Sequence, residues 1–391
     1  MAEIKNIVMI GAGLMGHNAA QICLMAGYNV TLVDIKDEFV DAGVAKIDEG
    51  LKKLESKGRL GEGVSAANIM GNLKKSIDLA SAVKDADFVV EAVVEIMDVK
   101  KDVFKTCDEN APPHCILATN TSTMSITEIA SATNREDKVI GMHFFNPPIL
   151  MRLVEIIAGE KSSDESMDAG VELGKKLPCL KGKRFVPKVL KDRPGFIVNR
   201  LNAPVQIYIN WVFDQAAEKG IPWEQIDADA AGLMPMGPCE LGDYVGLDTM
   251  FHVGNYFAKT LSPDFKPGKV IAKMVEENKL GRKSPQGFFD WSAGRPKIDK
   301  SVKSGLFSVE NSMAIMLNEG CRLLEEKVVS GFKVIDDANM AGMNTPGPFG
   351  GGKKQFEKWT KLLDDLADKT GKDYFRACEL MKSGGFVSMR K

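Results

Sequence analysis

Up to Gly159 the chain alternates between two hydrophobic periodicities. Short runs rich in valine and isoleucine at 6–10, 29–34, 87–92, 116–120, 139–143 and 153–157 read as strands buried on both faces. Between the first two, apolar residues recur at helical spacing over 15–26 and stop at Gly27, and 36–57 predicts a long helix with one charged face. A strand–helix–strand series of this kind predicts an open parallel sheet with helices on both faces.

Beyond Asp192 the pattern changes to long helical stretches, such as 195–219 and 309–329, and strand signals nearly vanish. This half reads as all-α and duplicated. Ile226-Asp227, Gly232 and Gly237-Pro238 recur as Ile335-Asp336, Gly342 and Gly347-Pro348. Before each copy comes a helix opening with an asparagine, Asn199-Arg200-Leu201-Asn202 in the first and Glu310-Asn311-Ser312-Met313 in the second. Two unrelated hairpins sharing turn chemistry would give a similar pattern; duplication of one helical unit accounts for more of it. The expected domains are 1–191, 192–295 and 296–391, the last a partial copy of the second.

Composition narrows the function classes. A chain of 391 residues with 44% hydrophobic and 27% charged positions can bury more than one core. A net charge of −2 gives no basic footprint for nucleic acid, and no apolar run is long enough to span a bilayer. The N-terminus runs straight into a strand with no signal-peptide pattern. Seven scattered cysteines without a Cys-x-x-Cys pair argue against a disulfide scaffold or zinc site and favour a reducing cytoplasm.

Gly11-Ala12-Gly13-Leu14-Met15-Gly16 follows the first strand and opens the first helix, where a dinucleotide fingerprint belongs. Gly11 permits the tight turn, Gly13 the close approach of backbone to pyrophosphate, and Gly16 the close packing of helix on strand. Leu14 and Met15 complete the turn, whose helix N-terminus offers N–H groups to phosphate. Asp34, eighteen positions past Gly16, is placed to accept from the adenosine ribose and to repel a 2′-phosphate, so the cofactor expected is NAD on a Rossmann-type sheet.

Of the four histidines, His17, His114 and His252 read as surface, turn and packing residues. His143 ends a predicted strand, at the sheet edge where chemistry collects. A base near neutral pH is what oxidation of an alcohol needs. Glu155, an acid inside the apolar run 153–157, requires a buried partner, and His143 is the candidate.

These residues and five further motifs resemble the (S)-3-hydroxyacyl-CoA dehydrogenases: Asn120-Thr121-Ser122, His143-Phe144-Phe145-Asn146-Pro147, Pro194-Gly195-Phe196-Ile197-Val198-Asn199-Arg200, Gly237-Pro238-Cys239-Glu240-Leu241, and Asp243-Tyr244-Val245-Gly246-Leu247-Asp248. The resemblance covers roughly residues 4–292 and more weakly the remainder. It implies NAD-dependent, reversible oxidation of a 3-hydroxyacyl-CoA to the 3-oxoacyl-CoA, with a short substrate such as 3-hydroxybutyryl-CoA. It makes His143 the base paired with Glu155, sets Ser122 and Asn199 on the substrate oxygens, and puts Asn146 beside the base. Glu95 and Lys100 then contact the nicotinamide-side ribose, and Lys57 meets coenzyme A. Gly50 stands where some members carry a serine that contacts coenzyme A. Short members dimerise through the helical unit, so a homodimer, or a monomer whose second copy packs in cis, is expected. Related sugar-acid dehydrogenases share the glycine turn and the His/Glu pair but lack Phe144-Phe145. A noncatalytic NAD-binding structural protein would not need the whole set of polar residues.

One stretch departs from the family. Lys175, Lys176, Lys181, Lys183, Arg184, Lys188 and Lys191 precede Asp192 with no acid among them. The plainer expectation is a solvated loop or lengthened hairpin; the sharper one is a contact to coenzyme A phosphates.

Overall fold

Valine- and isoleucine-rich runs become the central strands of one eight-stranded sheet in the computed structural model, which describes residues 3–389. The chain forms two compact units. The first runs through Val198 and takes in Lys327–Ser330 and Val334–Pro346; the second holds the rest of the helical half.

In the first unit the order is β1 (Asn6–Ile10), α1 (Leu14–Met25), β2 (Asn29–Val33), α2 (Asp37–Glu55), α3 (Ala66–Met70), β3 (Leu73–Ser76), α4 (Leu79–Ala82) and β4 (Phe88–Glu91). It continues with α5 (Met97–Asn110), β5 (Ile116–Thr119), α6 (Ile126–Ala130), β6 (Val139–Phe144), β7 (Val154–Ala158), α7 (Asp164–Lys176) and β8 (Lys188–Val189). Across the sheet the strands run β3-β2-β1-β4-β5-β6-β7-β8. All neighbours are parallel except β6 and β7. The order reverses beside β1, which lies between β2 and β4, and the crevice at the carboxyl ends there is where such sheets bind ligands.

The six strands expected from the sequence are present within a residue or so at each end. The two that were not expected lie at the edges. β3 reads Leu-Lys-Lys-Ser with its lysines exposed, and β8 is two residues long. Short, lysine-bearing strands protect sheet edges and carry no apolar run to reveal them.

Within the basic stretch Lys175, Lys176, Lys181, Lys183 and Lys191 are exposed, in line with the plainer expectation, and Arg184 is the departure. Arg184 is largely buried, and its guanidinium donates to the carbonyls of Leu177 (3.1 Å), Met151 (2.6 Å) and Pro178 (2.5 Å). Phe185 bridges to Leu153, and Lys188 pairs with Asp168 at 2.7 Å. An arginine with five donors is suited to gather carbonyls that no helix or sheet satisfies, and here that pins β8 onto β7. Three of its five donors are thereby committed to backbone carbonyls.

The helical half comprises α8 (Val198–Lys219), α9 (Trp223–Asp229), α10 (Pro238–Val245), α11 (Leu247–Thr260) and α12 (Lys269–Glu276). It goes on with α13 (Val309–Glu325), α14 (Phe332–Met343), α15 (Phe349–Gly352), α16 (Phe356–Thr370) and α17 (Glu379–Ser383). Each series runs long helix, two shorter helices, long helix, one 3₁₀ turn and a short helix, as duplication predicts. The recurring Ile-Asp and Gly-Pro pairs have a physical reason in the first copy. Asp227 accepts the N–H groups of Cys239 (2.8 Å) and Glu240 (3.0 Å) at the start of α10, and a Cβ on Gly237 would come within 2.3 Å of its carboxylate. Pro238 at the first helical position needs no donor partner.

Within the helical unit the copies are tied by a buried cluster. Arg200 on α8 donates through Nε to Glu319 on α13 and through a terminal nitrogen to Glu326 at 2.8 Å. Glu319 also accepts from Arg322 (3.0 Å) and the Tyr374 hydroxyl (3.0 Å). Most of α14, by contrast, belongs to the first unit. There the Ala341 carbonyl accepts the Arg152 N–H at 3.2 Å, and a Cβ on Gly342 would lie 2.8 Å from Leu153 and 3.3 Å from the Phe145 ring.

Candidate active site

β1 ends at Ile10, and the chain turns on Gly11 with φ +96°, a left-handed conformation that suits glycine. A Cβ on Gly11 would stand 2.5 Å from the Ala92 carbonyl oxygen, and one on Gly16 only 1.7 Å from the Gly11 carbonyl oxygen. Gly13 is the N-cap of α1, and the position of its missing Cβ faces open space. The turn therefore combines a crowded inner side with an open outer side, where the N-terminal amides of a twelve-residue helix point. Asp34 stands beside it, its carboxylate accepting from the Ala12 N–H and the Ile35 N–H, each at 2.7 Å. Leu14, Ile35 and Val94 lie exposed past the ends of β1, β2 and β4, an apolar rim suited to flat rings. Open space at Gly13, oriented amides and a carboxylate beside the turn fit NAD.

Next to the turn, the ends of β4 and β5 carry a ring of hydrogen bonds. Glu91, fully buried, accepts from the Val93 N–H (2.6 Å), the Lys100 ammonium (2.8 Å) and the Thr119 hydroxyl (2.6 Å). Lys100, itself buried, reaches Glu95 at 3.0 Å. Glu95 in turn accepts from the Thr121 hydroxyl and from the Ser122 N–H (3.1 Å), while the Thr121 N–H returns to the Thr119 hydroxyl (3.2 Å).

His143 and Glu155 face each other directly in the antiparallel β6–β7 pair. His143 Nδ1 is 2.7 Å from one Glu155 oxygen, both side chains being buried. The second oxygen accepts the N–H groups of Ile197 (3.2 Å) and Val198 (3.1 Å). Those amides are aimed by Gly195 at φ +81° and Phe196 at φ +55°, just before α8. Three donors fix the carboxylate in place, and through it the orientation of the ring. Phe145 and Phe196 hold the imidazole, with ring centroids at 4.5 and 5.7 Å. Because β1, β4, β5 and β6 are mutually parallel, His143 stands near the same edge of the sheet as the glycine turn.

Of the other expected residues, Ser122 follows β5, half-buried, with its backbone on Glu95. Asn146 is exposed three positions past His143. Lys57 is exposed just beyond α2. Asn199 opens α8 and belongs to the helical unit. A Cβ on Gly50 would meet the Gln21 side chain at 2.3 Å, so α1 and α2 pack closely where some relatives carry serine. Sequence reasoning placed Asn120 in a motif without giving it a role; its side chain accepts the Phe144 N–H at 2.9 Å and ties β5 to β6. That reasoning passed over Glu91, an acid ending the apolar run Phe88-Val89-Val90, which the rule applied to Glu155 would have flagged.

A dinucleotide turn with a carboxylate beside it, and a buried histidine–carboxylate pair on the same sheet edge, define an NAD-linked dehydrogenase of hydroxyl compounds. The family models for the 3-hydroxyacyl-CoA dehydrogenase NAD-binding domain and C-terminal domain match residues 6–186 and 195–291. The chain belongs to the 3-hydroxyacyl-CoA dehydrogenase family. It is 38% identical over 299 residues to the mitochondrial hydroxyacyl-coenzyme A dehydrogenase of Sus scrofa, covering 74% of this chain and 91% of that one. With the 3-hydroxybutyryl-CoA dehydrogenase of Clostridioides difficile it shares 39% over 290 residues, 73% of this chain and 99% of that one. The crystal structure of an Escherichia coli 3-hydroxybutyryl-CoA dehydrogenase superposes with a TM-score of 0.84 at 25% identity, over 97% of this chain and 98% of that one. The second helical series is thus part of a shared fold.

Proposed function

We propose that the protein oxidises short (S)-3-hydroxyacyl-CoA thioesters, such as 3-hydroxybutyryl-CoA, to the 3-oxoacyl-CoA and catalyses the reverse reduction. The observation that carries this is the buried His143–Glu155 pair at the NAD edge of the sheet. NAD, held by Gly11–Gly16, Asp34, Glu95 and Lys100, supplies the hydride acceptor. Glu155 takes the Nδ1–H of His143, which leaves Nε2 as the basic nitrogen. Nε2 accepts the 3-hydroxyl proton as the C3 hydrogen departs with its electron pair, and Glu155 then stabilises the imidazolium. Ser122 and Asn199 hydrogen-bond the substrate oxygens, Asn146 flanks the base, and Lys57 meets the coenzyme A moiety.

NADH consumption with acetoacetyl-CoA and with longer 3-oxoacyl-CoA esters tests the reading. The highest kcat/KM is expected with acetoacetyl-CoA; a steady rise with chain length overturns the short-chain assignment, and no turnover with any ester overturns the activity. The cis-packed second copy, tied through Arg200 and Glu319, supports a monomer of 42.6 kDa. Light scattering at twice that mass would make it a dimer. Seven free thiols, and no described helix long and apolar enough to cross a membrane, accord with a reducing cytoplasm.

A further inference from the structure

Two carboxylates share one ammonium at the end of β4, yet only one of them can reach a ligand. Glu95 has a side chain 42% exposed, whereas Glu91 is fully enclosed and Lys100 nearly so. A buried carboxylate is costly unless it is paired and hydrogen-bonded, and Glu91 receives donors from three elements at once. These are the loop after β4 through Val93, helix α5 through Lys100, and the end of β5 through Thr119. The ring closes through Thr121 and Glu95, so the Glu95 carboxylate and the Ser122 backbone are fixed by the same closed set of bonds.

We propose that Glu91 is a positioning residue for the nicotinamide end of the cofactor: it anchors Lys100 and Thr119, and through them holds Glu95 and the Ser122 turn in register. The proposal rests on the reading that Glu95 meets the nicotinamide-side ribose, with the enclosed Lys100 holding it from behind. Glu91 touches neither cofactor nor substrate. Its loss of charge frees one donor of Lys100 to pull Glu95 away from Thr121 and Ser122, while the glycine turn and Asp34, on the adenosine side, keep their own bonds.

The test is Glu91→Gln, which keeps shape and removes charge, with Thr119→Val as a milder second variant acting on the other oxygen. Binding of NADH and of ADP is measured by fluorescence and calorimetry. For Glu91→Gln the NADH dissociation constant rises about tenfold, the scale of one charge-assisted hydrogen bond, with that for ADP unchanged. Thr119→Val shows the same selective pattern at smaller size. Equal weakening of NADH and ADP means general loosening of the sheet and overturns the proposal, as does unchanged NADH binding in both variants. Glu95→Gln separates the two layers of the argument. If it weakens NADH while Glu91→Gln and Thr119→Val do not, positioning fails alone. If it leaves NADH binding intact, the ribose contact fails as well.

Discussion

In the proposed mechanism His143 serves as base only while its proton sits on Nδ1, and the Glu155 carboxylate at 2.7 Å favours that tautomer. In Glu155→Gln the amide oxygen can still accept the Ile197 and Val198 N–H groups, so its NH₂ must face Nδ1. The ring then carries its proton on Nε2 and has no basic nitrogen toward the substrate. A fall in kcat of about a thousandfold or more is expected for Glu155→Gln, and a similar loss for His143→Ala, with the NADH dissociation constant unchanged. Wild-type-like turnover in either purified variant would remove the assignment. Asp227 gives a residue-scale prediction about stability. Burial outweighs its two backbone donors and pushes its carboxyl up to about 6. A folded value above the unfolded one near 4 means that the folded state binds the proton more tightly. Stability from this group is therefore complete below about pH 4 and lost as pH rises through about 6, a difference of about 3 kcal/mol. Wild type minus Asp227→Asn, followed by urea unfolding between pH 4 and 7, should show that slope; a flat difference would mean the two N–H groups keep Asp227 ionised throughout.

Elements were legible in the sequence in proportion to how much apolar surface they bury. Interior strands β1, β4, β5 and β6 announce themselves by unbroken apolar runs, because both faces are covered. β3 and β8 do not, since an edge strand is selected to be short and charged. In the Lys-rich approach to β8 most lysines are exposed, but composition cannot tell an arginine in water from Arg184 against the carbonyls of Met151, Leu177 and Pro178. Helix α14 makes an element-scale prediction. Gly342 leaves room for Phe145, whose ring lies tilted against that of His143, so a larger residue there pushes on the imidazole from behind. Gly342→Val should cost about 1–3 kcal/mol in stability by overpacking and lower kcat with little change in NADH affinity. Unchanged kcat would show that Phe145 has slack to move.

Across the whole molecule the long-range decision is how the two helical series join. Arg200, Glu319, Arg322 and Tyr374 come from α8, α13 and the 3₁₀ turn before α17, and they meet away from water. Removing one partner of such a cluster strands the others. Arg200→Met should destabilise by about 3–5 kcal/mol in urea unfolding, and a cost under about 1 kcal/mol would mean that Arg322 and Tyr374 suffice for Glu319. The sequence alone determined the class of sheet, the glycine turn, the place of Asp34 beside it and the pairing of His143 with Glu155, because each follows from local rules: a φ only glycine favours, a strand end next to a helix start, a buried acid that needs a donor. Tertiary structure alone decided that Glu91 locks Lys100, that Arg184 serves backbone instead of solvent, and that α14 of the second copy lies against Phe145. Those depend on which distant groups burial brings together, and a buried charge takes its meaning from its partner.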